Sequence, residues 1–173
     1  PEVDRPLSIL RRHMVSCGYQ EAITYSMVEP GLLAKFDDQN QPVELINPIS
    51  ADMAVMRTSL WPGLVKALQH NQNRQQSRVR LFETGQRFIP SDQGLQQQDV
   101  FAGLIYGSRH PESWHGKAES VDYFDAKGDL ESLLEISGQA FSFEAAAHLA
   151  LHPGQSAVIT LAGKNIGYIG TMP

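Results

Sequence analysis

One cysteine, no glycine-rich phosphate loop, no long apolar run and no arginine beyond Arg109 are the shortages that frame this 173-residue chain. Cys17 alone permits no internal disulfide and is compatible with a reducing cytosol. The close glycine pair Gly167 and Gly170 sits in a strand-like segment with no helix after it, which excludes a dinucleotide-type phosphate loop. No apolar stretch approaches the roughly 20 residues that span a bilayer, and PEVDRPLSIL has neither the basic nor the apolar region of a secretory signal. A cytoplasmic protein without a membrane segment is therefore expected, and a start at Pro1 reads as an excised fragment. Fourteen basic against 19 acidic residues, a net charge of -5, argue against general affinity for nucleic acid. The 42% hydrophobic and 19% charged content fits one globular domain over residues 1–173.

The basic residues that are present are concentrated. Five of the 14 (Lys66, Arg74, Arg78, Arg80, Arg87) fall between positions 66 and 88, with Glu83 the one acid among them. Arg78 and Arg80 share a strand face there, so the segment reads either as a solvated polar face or as a phosphate-facing patch.

Periodicity supplies the elements. Asp4 and Pro6 start a helix in which Leu7, Leu10, Met14 and Cys17 recur at helical spacing until Gly18 stops it. Ile9 lies about 200° from Leu7 at 3.6 residues per turn, so Leu7, Ile9, Leu10, Met14 and Val15 form an apolar set wider than one stripe. Ile23, Tyr25 and Met27 alternate with polar residues as in a strand with one buried face, and a short helix through Leu32, Leu33 and Phe36 follows. A strand is expected over 43–46. Thr58 or Ser59 should cap a helix carrying Leu60, Leu64, Ala67 and Leu68 and fading in the Gln-Asn run. The next strand, 78–82, should bend at Gly85; 91–98 reads as a polar loop; 100–106, apolar on both faces, reads as a central strand. After an irregular connection carrying Trp114, Asp125 should start a helix with Leu130, Leu133, Leu134 and Ile136 inward, closed at Gly138. Phe141 and Phe143 suggest a strand, and 158–161 and 166–169 a hairpin. The expected fold is α+β, a mainly antiparallel sheet flanked by helices.

The chemistry-bearing residues are sparse. His148 and His152 have metal-ligand spacing, but Pro153 and Gly154 follow and no third ligand is near. Asp122, Asp125 and Asp129 read as helix-start acids before they read as a Mg²⁺ cluster. Cys17 reads as a buried, inert thiol. Arg57 needs a partner if buried, so it is either half of an ion pair or an anion-binding residue.

Several blocks together carry a family resemblance over essentially the whole chain. Gly18 to Thr24 after Arg11 and Arg12 looks like motif 1 of class II aminoacyl-tRNA synthetases, with Tyr25 in place of its proline. Asn47-Pro48-Ile49-Ser50, Met56 to Leu60, Asn71 to Arg74, Leu81 to Gly85, Tyr123 to Gly128 and His152-Pro153-Gly154 resemble blocks of the β subunit of bacterial phenylalanyl-tRNA synthetase, in its central catalytic-like domain. The resemblance implies a class II-like fold in an α2β2 enzyme that uses ATP, Mg²⁺, phenylalanine and tRNA. It also marks a loss. Where a catalytic motif 2 has its phosphate-binding arginine, four residues beyond the counterpart of Gly85, this chain has Ile89, and no motif 3 arginine is present; an aliphatic side chain cannot neutralise phosphate. The implied role is a non-catalytic domain with no catalytic residues, metal or bound cofactor of its own. Its partners would be the α subunit, the other β-subunit domains and, through the whole enzyme, tRNA. Under that reading Leu7, Ile9, Leu10, Met14 and Val15 form the subunit interface, Arg57 is structural or anion-binding, Arg74, Arg78 and Arg80 are candidate tRNA contacts, and the fragment alone self-associates weakly. The alternatives are an active adenylate-forming domain and a tRNA-contacting module.

Overall fold

A computed structural model describes residues 6–111 and 119–173; Asp4 and Trp114 lie outside the described residues. The elements run α1 (Pro6–Ser16), β1 (Gln20–Glu21), β2 (Met27–Val28), α2 (Pro30–Leu33), a 3-10 turn (Ala51–Met53), β3 (Val55–Met56), α3 (Trp61–Gln72), β4 (Arg78–Ser91), β5 (Gly94–Gly107), α4 (Tyr123–Glu135), β6 (Phe141–Ala145), β7 (Ser156–Leu161) and β8 (Lys164–Gly170). The strands form three sheets, ordered β1-β4-β5, β2-β3 and β6-β7-β8. Backbone contacts divide the chain into two compact units: Pro1–Gln20, Ser77–Arg80 and Ile105–Pro173; and Glu21–Gln76 with Leu81–Leu104.

In the first unit α4 lies on the β6-β7-β8 sheet. Leu134, Ala157, Ile159 and Ile169 form the buried cluster, with Tyr123, Leu130, Phe141 and Phe143 packed around it. The β7–β8 hairpin turns on Ala162 and Gly163, both at positive φ (49° and 74°), as a two-residue turn between right-twisted strands requires. Helix α1 ends in a Schellman motif: Tyr19 N–H donates to Met14 O and Gly18 N–H to Val15 O, each at 3.0 Å. Gly18 takes φ +82°, a conformation that penalises any Cβ. Met14 and Tyr19 are both buried at this turn, the apolar contact that accompanies the motif.

In the second unit Val28, Leu33 and Val55 form one buried cluster. Leu64 buries the inner face of α3, with buried Leu60 just before the helix, and Phe82 of β4 is fully buried and stacks on Phe101 with ring centroids 5.9 Å apart. Burial of each such side chain contributes about 1.5–3 kcal/mol.

Several sequence expectations are corrected here. The segment from Tyr19 to Val28 is not one strand: only its ends pair, and Ile23 is 92% exposed, because alternation without a partner strand for its middle does not bury a face. Residues 43–46 contribute only a bridge from Glu44 to Val55, and Ile46 points outward. β4 passes through Gly85 to Ser91. The supposed polar loop is the tip of a hairpin and the start of β5, whose glutamines are exposed; β5 lies at the edge of its sheet, with β4 central. α3 begins at Trp61, with Ser59 Oγ accepting from Trp61 N–H at 3.2 Å. The N-cap of α4 is Asp122, paired with Asp125 in a reciprocal capping box, which satisfies two of the orphan donors of the first turn. Ile136 is exposed, since it stands at the helix C-cap.

Candidate functional site

Three groups of residues come together, each within one unit. The first is built around Arg57, between β3 and α3. Its side chain is buried, and Nη1 donates to Glu83 Oε1 at 2.8 Å, with both side chains almost inaccessible (5% and 2% exposed). Nη1 also donates to Thr24 Oγ1 at 3.1 Å, and Nε donates to the Gln86 carbonyl at 2.9 Å. Glu83 accepts in addition from Thr24 N–H (3.1 Å) and Thr24 Oγ1 (2.8 Å). Main-chain bonds join the same segments: Arg57 N–H to Ser26 O and Phe88 N–H to Arg57 O, both 2.9 Å. A Cβ at Gly85 would come within 2.5 Å of Arg57 Nη2, so glycine is what allows β4 to run beneath the guanidinium. Strand alternation does not reveal this, because the two partners are 26 residues apart.

The second group is in the first unit. Tyr19 OH donates to Asp129 Oδ2 at 2.8 Å, the same oxygen accepts from Arg80 Nη1 at 2.8 Å, and the Arg80 guanidinium lies 5.5 Å from the Tyr19 ring centre. Arg80 is thus not part of a solvated face; its charge is opposed by Asp129. Burial first, and then the Asp129 charge and hydrogen bond, push the Tyr19 hydroxyl well above its ordinary range. The sign follows. The folded protein keeps this proton while the unfolded chain loses it near pH 10, so the contribution is fully present below about pH 10 and is lost as pH rises beyond it. Melting temperature should fall more steeply between pH 9 and 11 in the native protein than in Tyr19→Phe; parallel profiles would contradict this assignment.

The third group is the Arg109 clasp. Arg109 meets Glu119 (3.0 Å), Asp122 (3.5 Å) and Asp125 (3.0 Å). The Asp125 carboxyl would be raised by its burial, but the Asp122 N–H and the Arg109 guanidinium outweigh this and hold it below the usual carboxylate range. With Asp122 and Asp125 held by Arg109, and Asp129 by Arg80, the three aspartates do not converge on one point. Among the described residues no group of three or more His, Cys, Asp or Glu side chains is placed to hold a metal.

The remaining candidates separate. On α1, Val15 is 58% and Ile9 37% exposed, and Leu7 is exposed as well; Leu10 is half-buried and Met14 is 3% exposed. Met14 therefore packs into its own unit through the Schellman turn and is not available to a partner. Cys17 is half-buried, with Sγ 3.6 Å from His13 Nε2. Arg74 is exposed and bonds to His70. His148 Nδ1 accepts from the Ala150 N–H at 3.1 Å, an intraloop role. Ile89 is half-buried on β4. Sequence reasoning missed an open cleft of about 490 Å³ between the start of α4 and the β6-β7 face, with Phe124 and Lys127 on its wall; no periodicity marks it.

The family model for the phenylalanyl tRNA synthetase beta chain CLM domain matches residues 3–172. The chain belongs to this family. Phenylalanine–tRNA ligase beta subunits are correspondingly similar: that of Pseudomonas putida is 56% identical over 174 residues, that of Pasteurella multocida 51% over 176, and that of Hahella chejuensis 49% over 172. In each case 99% of the chain is covered but 22% of the relative, so the chain spans about a fifth of the length of these β subunits. A solved structure of a pyrrolysyl tRNA synthetase from Desulfitobacterium hafniense aligns over 92% of the chain and 52% of its own, with a TM-score of 0.60 at 16% identity. That likeness fixes the fold of the CLM domain as class II synthetase-like α+β, as the residue blocks implied. Among the described residues no helix is long and apolar enough to cross a membrane.

Proposed function

We propose that this CLM domain is a non-catalytic structural domain of a phenylalanyl-tRNA synthetase β subunit, whose task is to dock the catalytic α subunit of an enzyme that charges tRNA with phenylalanine using ATP and Mg²⁺. The observation that carries the docking role is α1: Leu7, Ile9 and Val15 remain exposed on a helix whose Met14 is buried. Exposed apolar side chains on one helix, in a domain that belongs to an oligomer-forming family, favour a protein partner over solvent. Ile89 supports the non-catalytic half, because β4 offers an aliphatic side chain where a triphosphate would need a cation. Arg57 is a structural residue on this reading, since its charge is already met by Glu83. The tRNA-contacting alternative is weakened, because Arg80 is neutralised by Asp129.

Two measurements test the proposal. Calorimetric titration of the isolated chain with ATP should give no heat of binding, and phenylalanine-dependent pyrophosphate exchange should not exceed that of a denatured control. Exchange above that control would instead identify an active adenylate-forming domain. Titration with the α subunit should, by contrast, give saturable binding.

A further inference from the structure

We infer that Arg78 is a receptor for a single carboxylate on the docked partner, an inference that rests on the docking role proposed above. Arg78 opens β4 and is half-buried; its Nε is fully buried with no hydrogen-bond partner. Among the described residues no carboxylate pairs with it, whereas Arg57, Arg80 and Arg109 each have at least one. Arg80 Nε is unpartnered too, so the absence of any described carboxylate partner is what sets Arg78 apart; a half-buried guanidinium in that position gains most from a planar, bidentate acceptor. Its position identifies where that acceptor comes from: a Cβ at Gly18 would lie 3.8 Å from Arg78 Nη2. Gly18 is the turn that closes α1, three residues beyond the exposed Val15. The guanidinium therefore lies at the C-terminal end of α1, the helix that exposes Leu7, Ile9 and Val15, and the matching surface is apolar with an aspartate or glutamate at one end.

A nucleic-acid backbone fits less well. Affinity for it grows with the number of phosphates neutralised, and the other arginine on this strand face, Arg80, is already opposed by Asp129. A buried, hydrogen-bonded charge pair across an interface shows itself in the dissociation rate.

The test uses the full-length β subunit and its α subunit. Arg78→Gln should weaken assembly at least tenfold, mainly by faster dissociation, Arg78→Lys should recover part of the loss, and neither should lower the melting temperature of the free β subunit. The Ile9→Glu/Val15→Glu variant is run in parallel. If that variant blocks assembly while Arg78→Gln leaves it unchanged, the carboxylate receptor is refuted and the docking role stands. If neither variant affects assembly, the docking role itself fails, and this inference with it. A lowered melting temperature in Arg78→Gln would show an internal partner and overturn the inference. So would unchanged assembly accompanied by weaker, less salt-dependent tRNA binding, which would make the ligand a phosphate.

Discussion

Arg57→Ala is expected to destabilise the domain by about 3–5 kcal/mol, because it leaves the Glu83 carboxylate buried without its cation. For a chain of this size, that corresponds to a fall in melting temperature of roughly 6–20 °C. The lost interactions are specific: the 2.8 Å bond to Glu83 and the bonds donated to Thr24 and Gln86, which together tie β4 and the Thr24 segment of the second unit to one guanidinium. Replacing both partners by apolar side chains, Arg57→Met with Glu83→Leu, should cost less than Arg57→Ala alone, since no buried charge is then left unpaired. Arg57→Lys should fall between, because an ammonium cannot reproduce the planar fork that reaches both Glu83 and the Gln86 carbonyl. Thermal unfolding of the four proteins separates these cases. An unchanged melting temperature in Arg57→Ala would return Arg57 to the anion-binding alternative.

The parts of this molecule legible in its sequence are those with local causes. Gly18 marks the end of α1 because only the chain's own last turn is involved in a Schellman motif. The β7–β8 hairpin is legible because its turn contains Gly163, which tolerates positive φ, although the sequence suggests a turn over 162–165 and the strand β8 already begins at Lys164. The core of α4 follows from the spacing of Leu130, Leu133 and Leu134. Non-local causes were hidden. Ile23 and Tyr25 alternate like strand residues, yet whether alternation becomes a strand depends on a neighbour elsewhere in the chain. The start of β5 is written in glutamines that face water on an edge strand, and so has no apolar signature. At the site, the charge run was visible but its meaning was not. Arg80 looks like a surface cation until Asp129, 49 residues later, is seen to meet it, and Tyr19 finds the same carboxylate across 110 positions. Arg57 could be singled out as needing a partner, but which acid supplies it is a tertiary fact. The proposed loss of phosphate chemistry rests on comparison with a motif, at Ile89, and could not be read from that isoleucine alone.

The docking role makes the second large prediction. Ile9 and Val15 are exposed on α1 (37% and 58%), so exchanging both for glutamate should leave the domain folded, with an unchanged circular dichroism spectrum and a melting temperature within a few degrees of the native one. The same exchange places two negative charges in what should become an apolar, water-excluded contact. Burying even one unpaired carboxylate costs several kcal/mol, so affinity for the α subunit should fall by more than a hundredfold. Weak self-association of the isolated fragment should disappear with it, because both rest on the same uncovered patch.

The most direct measurement of the central claim is therefore the mass, by size-exclusion chromatography with light scattering, of the α subunit mixed with full-length β subunit carrying Ile9→Glu and Val15→Glu. The account predicts separate α and β species from the folded variant and an α-β assembly from the native pair; an assembly of native mass and affinity from the folded variant would contradict it and place the docking surface elsewhere on the domain.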